Sequence, residues 1–227
     1  DILWATSVDK VTEYLNVLRS AGKPVAYDVE TDAKNPLDAN LRCLAFSNED
    51  TSVLVPILSI DGATRAFSPS DEEDVLDILR EFLVNPQVPL TGHNAGQYDR
   101  IVCEEQLGVT PALSADTLLL HLLSNNEMPH NLGFVGSRYT DFTEAWKADH
   151  TATQARTDKE LHTYCAKDCA VTAAVSKPLA RQVRAHSQWD LVSTEHQLQW
   201  VGSGMQRLGM FVDQKRLREH QIGFQEK

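Results

Sequence analysis

Three short runs, PVAYDVE, LRCLAFS and TSVLVPI, follow one another between residues 24 and 57. Each is rich in β-branched and apolar side chains, and polar or turn-rich segments separate them, which is the pattern of a three-strand antiparallel meander. Helical patterns flank the meander. In SVDKVTEYLNVLRSAG, Ser7 stands as N-cap, Val11, Leu15 and Leu18 form one apolar face, and Gly22 is a stop signal. SPSDEEDVLDILREFLV has Ser70 as a cap, acids in the first turn and an apolar face of Val75, Leu76, Leu79, Phe82 and Leu83.

Beyond Pro86 the pattern alternates. VPLTGHN is a buried strand leading into the helix GQYDRIVCEEQLG, and a short strand at 112 to 115 leads into DTLLLHLLS. A short helix follows near NLGFVGSRY, then a polar loop from about 140 to 156, and the last 70 residues are helical, passing through Pro178. A meander followed by strand-helix units predicts an α/β fold: a three-layer sandwich with a mixed five-stranded sheet flanked by helices.

Composition excludes several classes. The chain of 227 residues is 42% hydrophobic and 23% charged, ordinary for a globular protein. It has no apolar run of the roughly 18 to 20 residues that span a bilayer. The start DILWATSVDK lacks the basic and apolar regions of a signal peptide, so a cytoplasmic location, or one associated with a nucleoid, is expected rather than secretion. Cys43, Cys103, Cys165 and Cys169 form no CxxC pair and read as packing residues. The net charge of −11 is uneven: residues 1 to 137 carry 8 Lys/Arg against 21 Asp/Glu, and residues 138 to 227 carry 13 against 11. An acidic half beside a mildly basic one is compatible with a metal-binding carboxylate cluster and a separate phosphate-gripping surface.

Three motifs carry the chemistry. In AYDVETD, Asp28 and Glu30 fall on one side of a strand, where two crowded carboxylates repel unless a divalent cation neutralises them. Asp-x-Glu also occurs at 71/73 and 158/160, but those pairs sit at helix starts, where acids complement the dipole. In TGHNAGQYDRIV a strand end leads through His93 and Asn94 to Asp99; the bland alternative makes Asn94 a helix cap and Asp99 a first-turn acid. In YCAKDCA, Tyr164 and Asp168 are one helical turn apart, and no other tyrosine stands four residues before an aspartate. Asp116, with Thr117, reads as a helix cap, and His121, among leucines, as a satisfied half-buried side chain.

In this order the motifs resemble the DEDD superfamily of 3′-5′ exonucleases in its tyrosine variant. The histidine variant would place His where this chain has Thr163; His162 misses by one position. The flanks VAYDVETDAKNPLDANLRCLAFS, SADTLLLHLLSNNEMPHNLGFVGSRY and ELHTYCAKDCAVT resemble the proofreading exonuclease domain of family A DNA polymerases, the DNA polymerase I type including phage enzymes. The tail EHQLQWVGSGMQRLGMFVD resembles the first polymerase-domain helix of that family. The resemblance covers roughly residues 20 to 227 and implies an exonuclease domain over 1–186, with 187–227 as the start of a polymerase domain. Fingers, palm and most of the thumb are missing from it, so polymerisation is not expected.

What the resemblance implies is specific. The fold would be ribonuclease H-like, and the reaction two-metal hydrolysis, with Mg2+ or Mn2+, of the terminal phosphodiester of a single-stranded or frayed DNA 3′ end. Asp28, Glu30 and Asp168 would hold the ion that binds the attacking water; Asp28 would bridge to a second ion, which Asp99 helps retain. Tyr164 would orient the water, since a phenol of pKa near 10 supplies little base at neutral pH. Thr31, Asn94 and Phe142 would contact the terminal nucleotide, although Phe142 near Trp146 also suits packing. An apolar wedge is common in the family where Lys34 stands here, a role left to Leu37 or to the lysine stem. The Asn94 to Asp99 spacing is that of phage members. The rest of a polymerase chain is the implied partner, and no membrane is. Two rivals are an exoribonuclease of the same superfamily and a catalytically silent binding module, which would be expected to lack carboxylates that are present here.

Overall fold

The computed structural model describes residues 2–141 and 155–225. Its sheet has six strands: β1 (Ile2–Trp4), β2 (Val25–Thr31), β3 (Leu41–Ser47), β4 (Ser52–Pro56), β5 (Leu90–Gly92) and β6 (Leu113–Asp116), in the spatial order β1-β4-β3-β2-β5-β6. The meander β2-β3-β4 is antiparallel, and β5 and β6 extend it in parallel beyond β2. The sixth strand is the departure from the five predicted: β1 pairs parallel with β4 through Ile2, Leu3 and Trp4. A run of three residues is too short to show a period of two.

Helices α1 (Val8–Ser20), α2 (Pro69–Val84) and α3 (Asp99–Gln106) cover one face of the sheet. Leu15, Leu18, Val75, Leu79 and Val102 pack there on Tyr27, Val29, Leu44, Phe46 and Val55. Ser7 caps α1 by accepting from Lys10 N, as its sequence predicts. The cap of α2 is Ser68 rather than Ser70: Pro69 takes the first helical position, where its fixed φ fits and its missing N–H costs nothing, and Ser68 accepts from Asp71 N.

The other face is covered by α6 (Asp158–Ala185), a 28-residue helix that continues through Pro178. Cys165, Ala166, Cys169 and Ala173 lie on Ala26, Cys43, Ala45 and Leu54, and such small residues bring helix and sheet close together. All four cysteines are buried free thiols, as read from the sequence. The helices α4 (Thr117–Ser124), α5 (Leu132–Tyr139) and α7 (Trp189–Leu208) gather against α6 through Leu120, Leu132, Val135, Val175, Leu179 and Val192. A last helix, α8 (Gln214–Gln225), ends the described chain. Among the described residues, no helix is long and apolar enough to cross a membrane.

Candidate active site

Strand β2 is buried along most of its length. Its alternation sends Tyr27 and Val29 into the core beneath α1 to α3, and Ala26 to the face under α6. Asp28 and Glu30 share the parity of Ala26. The α6 helix is seated on this backbone by two thiols, Cys169 Sγ donating to Ala26 O at 3.0 Å and Cys165 Sγ to Asp28 O at 3.7 Å. Because Tyr164 and Asp168 adjoin these cysteines, the same docking carries them to the carboxylates of β2. The register of β2 against β3 then shifts between Glu30 and Thr31, an irregularity that re-aims the strand end.

Asp99 arrives from the other side. It opens α3, is buried, and its Oδ1 accepts from Val29 N at 3.0 Å, joining α3 to the middle of β2. Burial pushes its carboxyl up to about 7; the bond from Val29 works against that rise, and the neighbouring charges of Asp116 and Asp168 add to it. Burial also raises the Tyr164 phenol above its ordinary value, and Asp168, Glu30 and Asp28 raise it further, with a hydrogen bond to Asp168 contributing. Tyr164 therefore keeps its proton throughout the neutral range.

A cavity of about 670 Å³ opens on this cluster, lined by Asp28, Glu30, Thr31 and Asp99, and also by Asp32, Lys34, Arg42 and Tyr98. Tyr164 and Asp168 do not line it; they stand on the adjoining face of α6, within electrostatic reach of Glu30 and Asp99 respectively. Among the described residues, no three His, Cys, Asp or Glu side chains are gathered closely enough to hold an ion as they stand. The structure thus brings the predicted acids and tyrosine to one region without closing them into a ligand shell.

The substrate-side residues divide. Thr31 lines the cavity, and its hydroxyl bonds Ala33 O at 3.0 Å and the Tyr98 hydroxyl. Asn94 is not a cavity-lining residue, nor does it cap α3, whose N-cap position is Tyr98 with no side-chain cap. It adopts φ 61° in the turn after β5, with its N–H donated to Asp116 Oδ1 at 2.9 Å. Left-handed backbone suits asparagine better than most residues. Lys34 lines the cavity, while Leu37 is exposed elsewhere. Phe142 lies outside the described residues.

Asp116 is a cap, accepting from Leu118 N, but the same oxygen also fixes the Asn94 turn, a second duty the sequence did not show. His121 is fully buried rather than half-buried, and its Nδ1 meets His130 Nδ1 at 2.7 Å. His162 packs its ring on Trp4 at 5.6 Å, leaving the tyrosine as the α6 residue beside the acids. Three polar cavity residues, Asp32, Tyr98 and Arg42, lie outside the predicted set. Tyr98 bonds both Thr31 and Ala33 O and so holds the chain that leaves β2. Arg42 is the one charge within the otherwise apolar run LRCLAFS, a signal that was available.

Solved structures share this fold. The chain superposes on Escherichia coli RNase D, described as an exoribonuclease involved in structured RNA processing, with a TM-score of 0.69 and 17% identity, covering 89% of this chain and 50% of that one. It superposes equally well, TM-score 0.69 at 19% identity, on the POL domain of Pol1 from M. smegmatis in complex with DNA primer-template and dNTP, covering 94% of this chain and 34% of that one. The fold is the mixed α/β architecture of RNase H-like exonucleases. More particularly, a family model described as 3′-5′ exonuclease matches residues 2–184, and the chain belongs to that family. It is 27% identical over 223 residues to DNA polymerase I of Synechocystis sp., covering 91% of this chain and 21% of the polymerase. The chain spans about a fifth of that relative's length.

Proposed function

We propose that this domain is an active, metal-dependent 3′-5′ exodeoxyribonuclease, the proofreading part of a family A polymerase whose polymerase domain begins within residues 187–227. The observation that carries this reading is the placement of the acids: Asp28, Glu30 and Asp99 line one cavity, Asp99 is buried with its Oδ1 accepting from Val29 N at 3.0 Å, and burial with the charges of Asp116 and Asp168 raises its carboxyl. A set of hard carboxylate oxygens gathered at one cavity fits divalent cations, and Mg2+ or Mn2+ suits such donors. Asp28, Glu30, Asp99 and Asp168 would hold them. When bound, such a pair of cations supplies stabilisation of the attacking and leaving oxygens of an in-line displacement.

The protein's own groups then divide the remaining work. Tyr164, protonated and hydrogen-bonded to Asp168, orients the attacking water without taking its proton. Thr31, tethered by Tyr98, sets the backbone beside Glu30 against which the terminal sugar lies, and Arg42 and Lys34 offset the acids for an incoming phosphate. Asn94, poised by Asp116, contacts the last nucleotide once the strand is seated. A single-stranded or frayed end is preferred, because unstacking the last base is the cost of entry.

An exoribonuclease is the second reading, supported by the likeness to RNase D. The sequence relation to a DNA polymerase favours DNA. Matched 3′-labelled DNA and RNA oligomers, hydrolysed side by side with Mg2+ or Mn2+, decide between them: faster release from DNA is expected, and faster release from RNA overturns the choice.

A further inference from the structure

A second concave site lies at the other end of the sheet. Lys23 and Pro24 precede β2, five residues from Asp28, which at about 3.3 Å per strand residue is roughly 17 Å from the acids. Here a cavity of about 530 Å³ opens between the start of β2, β5, β6 and the C-terminal half of α6, a volume in the range of small-molecule sites. Its inner lining mixes small apolar residues, Pro24, Ala115, Ala173 and Ala180, with the hydroxyls of Thr91, Ser114 and Ser176.

Its rim is basic. Lys177, Arg181 and Arg184 recur on α6 at i, i+4 and i+7, one stripe of the helix, and Lys23 faces them. Glu49 approaches Lys177 at 3.3 Å and Lys23 at 3.8 Å, and Asp50 meets Lys23 at 2.7 Å, so the two lysines are already matched. Arg181 and Arg184 have no acidic partner among the described residues. The Arg184 guanidinium lies over the Trp189 ring at 3.6 Å from its centroid, a contact that holds a cation at the mouth of the cavity. Two guanidinium groups at the edge of one cavity, both without an acidic partner among the described residues and one held by a ring, give this groove a local positive potential on a chain of net charge −11, and that potential favours an anion.

We propose that this groove is a nucleoside-phosphate site separate from the acid cluster. The phosphate takes Arg181 and Arg184, whose planar donors suit its oxygens. The sugar and base lie along Ala115, Ala173 and Ala180, with the hydroxyls of Thr91, Ser114 and Ser176 beside them. The ligand is a free nucleotide or one unit of a strand, since both present the same chemistry. This assignment does not depend on the acid cluster being catalytic.

The test is an NMR titration of the full chain in chelator, following the Trp189 indole N–H, assigned by Trp189→Phe. The probes are dTMP, inorganic phosphate and a short oligo(dT). We expect dTMP to shift the Trp189 signal saturably, with affinity reduced about tenfold or more in Arg181→Ala, which leaves the Trp189 stack intact, and in Arg181→Ala/Arg184→Ala. Asp28→Ala/Glu30→Ala should bind as the wild type does. Tighter arginine-dependent binding of the oligomer than of dTMP makes a strand the source; the reverse makes it the free nucleotide. The assignment is overturned if no probe moves the Trp189 signal, if the arginine variants bind as the wild type does, or if the acid variant alone loses binding. Phosphate binding as tightly as dTMP overturns the nucleoside part.

Discussion

Replacing Asp99 by asparagine sets stability against activity. The side chain is 8% exposed, its Oδ1 accepts from Val29 N, and burial followed by the nearby acids raises its carboxyl from 3.8 to about 7. A folded-state value above the unfolded one means that the fold favours the protonated acid. That stabilisation is fully present below about pH 4 and is lost as pH rises through about 7. A rise of roughly three units at about 1.4 kcal/mol each places the loss at pH 8 at no more than about 4 kcal/mol. Asparagine has nearly the same shape, no charge, and an oxygen for Val29 N. In chelator, Asp99→Asn should therefore be more stable than the wild type at pH 8 by about 2 to 4 kcal/mol, with the advantage shrinking toward pH 5, while exonuclease activity falls by about two orders of magnitude or more. Urea unfolding of both proteins at pH 5 and 8, with m-values compared, measures this. A variant no more stable at pH 8, or an advantage that does not change with pH, refutes the burial argument.

Tyr164→Phe should lower kcat about 10- to 100-fold with little change in KM, since it removes one hydrogen bond to the water and no ligand; its activity should titrate with pH as the wild type's does up to about pH 10, and loss of a basic limb below pH 9 would instead make the phenol a base. Mg2+ at about 100 times its dissociation constant should stabilise the wild type by about 2.7 kcal/mol and leave Asp28→Ala/Glu30→Ala unchanged, read as a thermal shift; equal shifts in both place the ion elsewhere. Gly92→Ala should destabilise by about 1 to 3 kcal/mol, because an added Cβ would lie 2.3 Å from Ala95 Cβ in the turn that leads to Asn94; a neutral effect would mean that this turn yields without cost.

Much of the fold was legible because its elements repeat a period. The apolar faces of α1 and α2 and the meander β2 to β4 follow directly from spacing, and the acids of β2 share a side because a strand alternates. Strand β1 was not legible: Ile2 to Trp4 gain their identity from pairing with Ser52 to Leu54, a tertiary event. The shift of the α2 cap from Ser70 to Ser68 turned on how Pro69 fits a first helical turn. In the site, the acids and Tyr164 were visible as motifs, while the joints that hold them were not. Val29 N to Asp99, Cys165 and Cys169 onto the β2 carbonyls, and Tyr98 onto Thr31 all join residues at least 67 positions apart. Asn94 illustrates the limit: its sequence position left open a contact to the terminal nucleotide or a helix cap, and its backbone conformation is fixed by Asp116, 22 residues away.

The central claim, that Asp28, Glu30, Asp99, Asp168 and Tyr164 form a metal-dependent 3′-5′ exonuclease site, is tested most directly by mononucleotide release from a 3′-labelled single-stranded DNA oligomer with Mg2+ or Mn2+, beside Asp28→Ala/Glu30→Ala. Release that requires the cation and vanishes in the variant is predicted. A folded wild type that releases nothing with either cation, or a variant that releases as fast as the wild type, contradicts it.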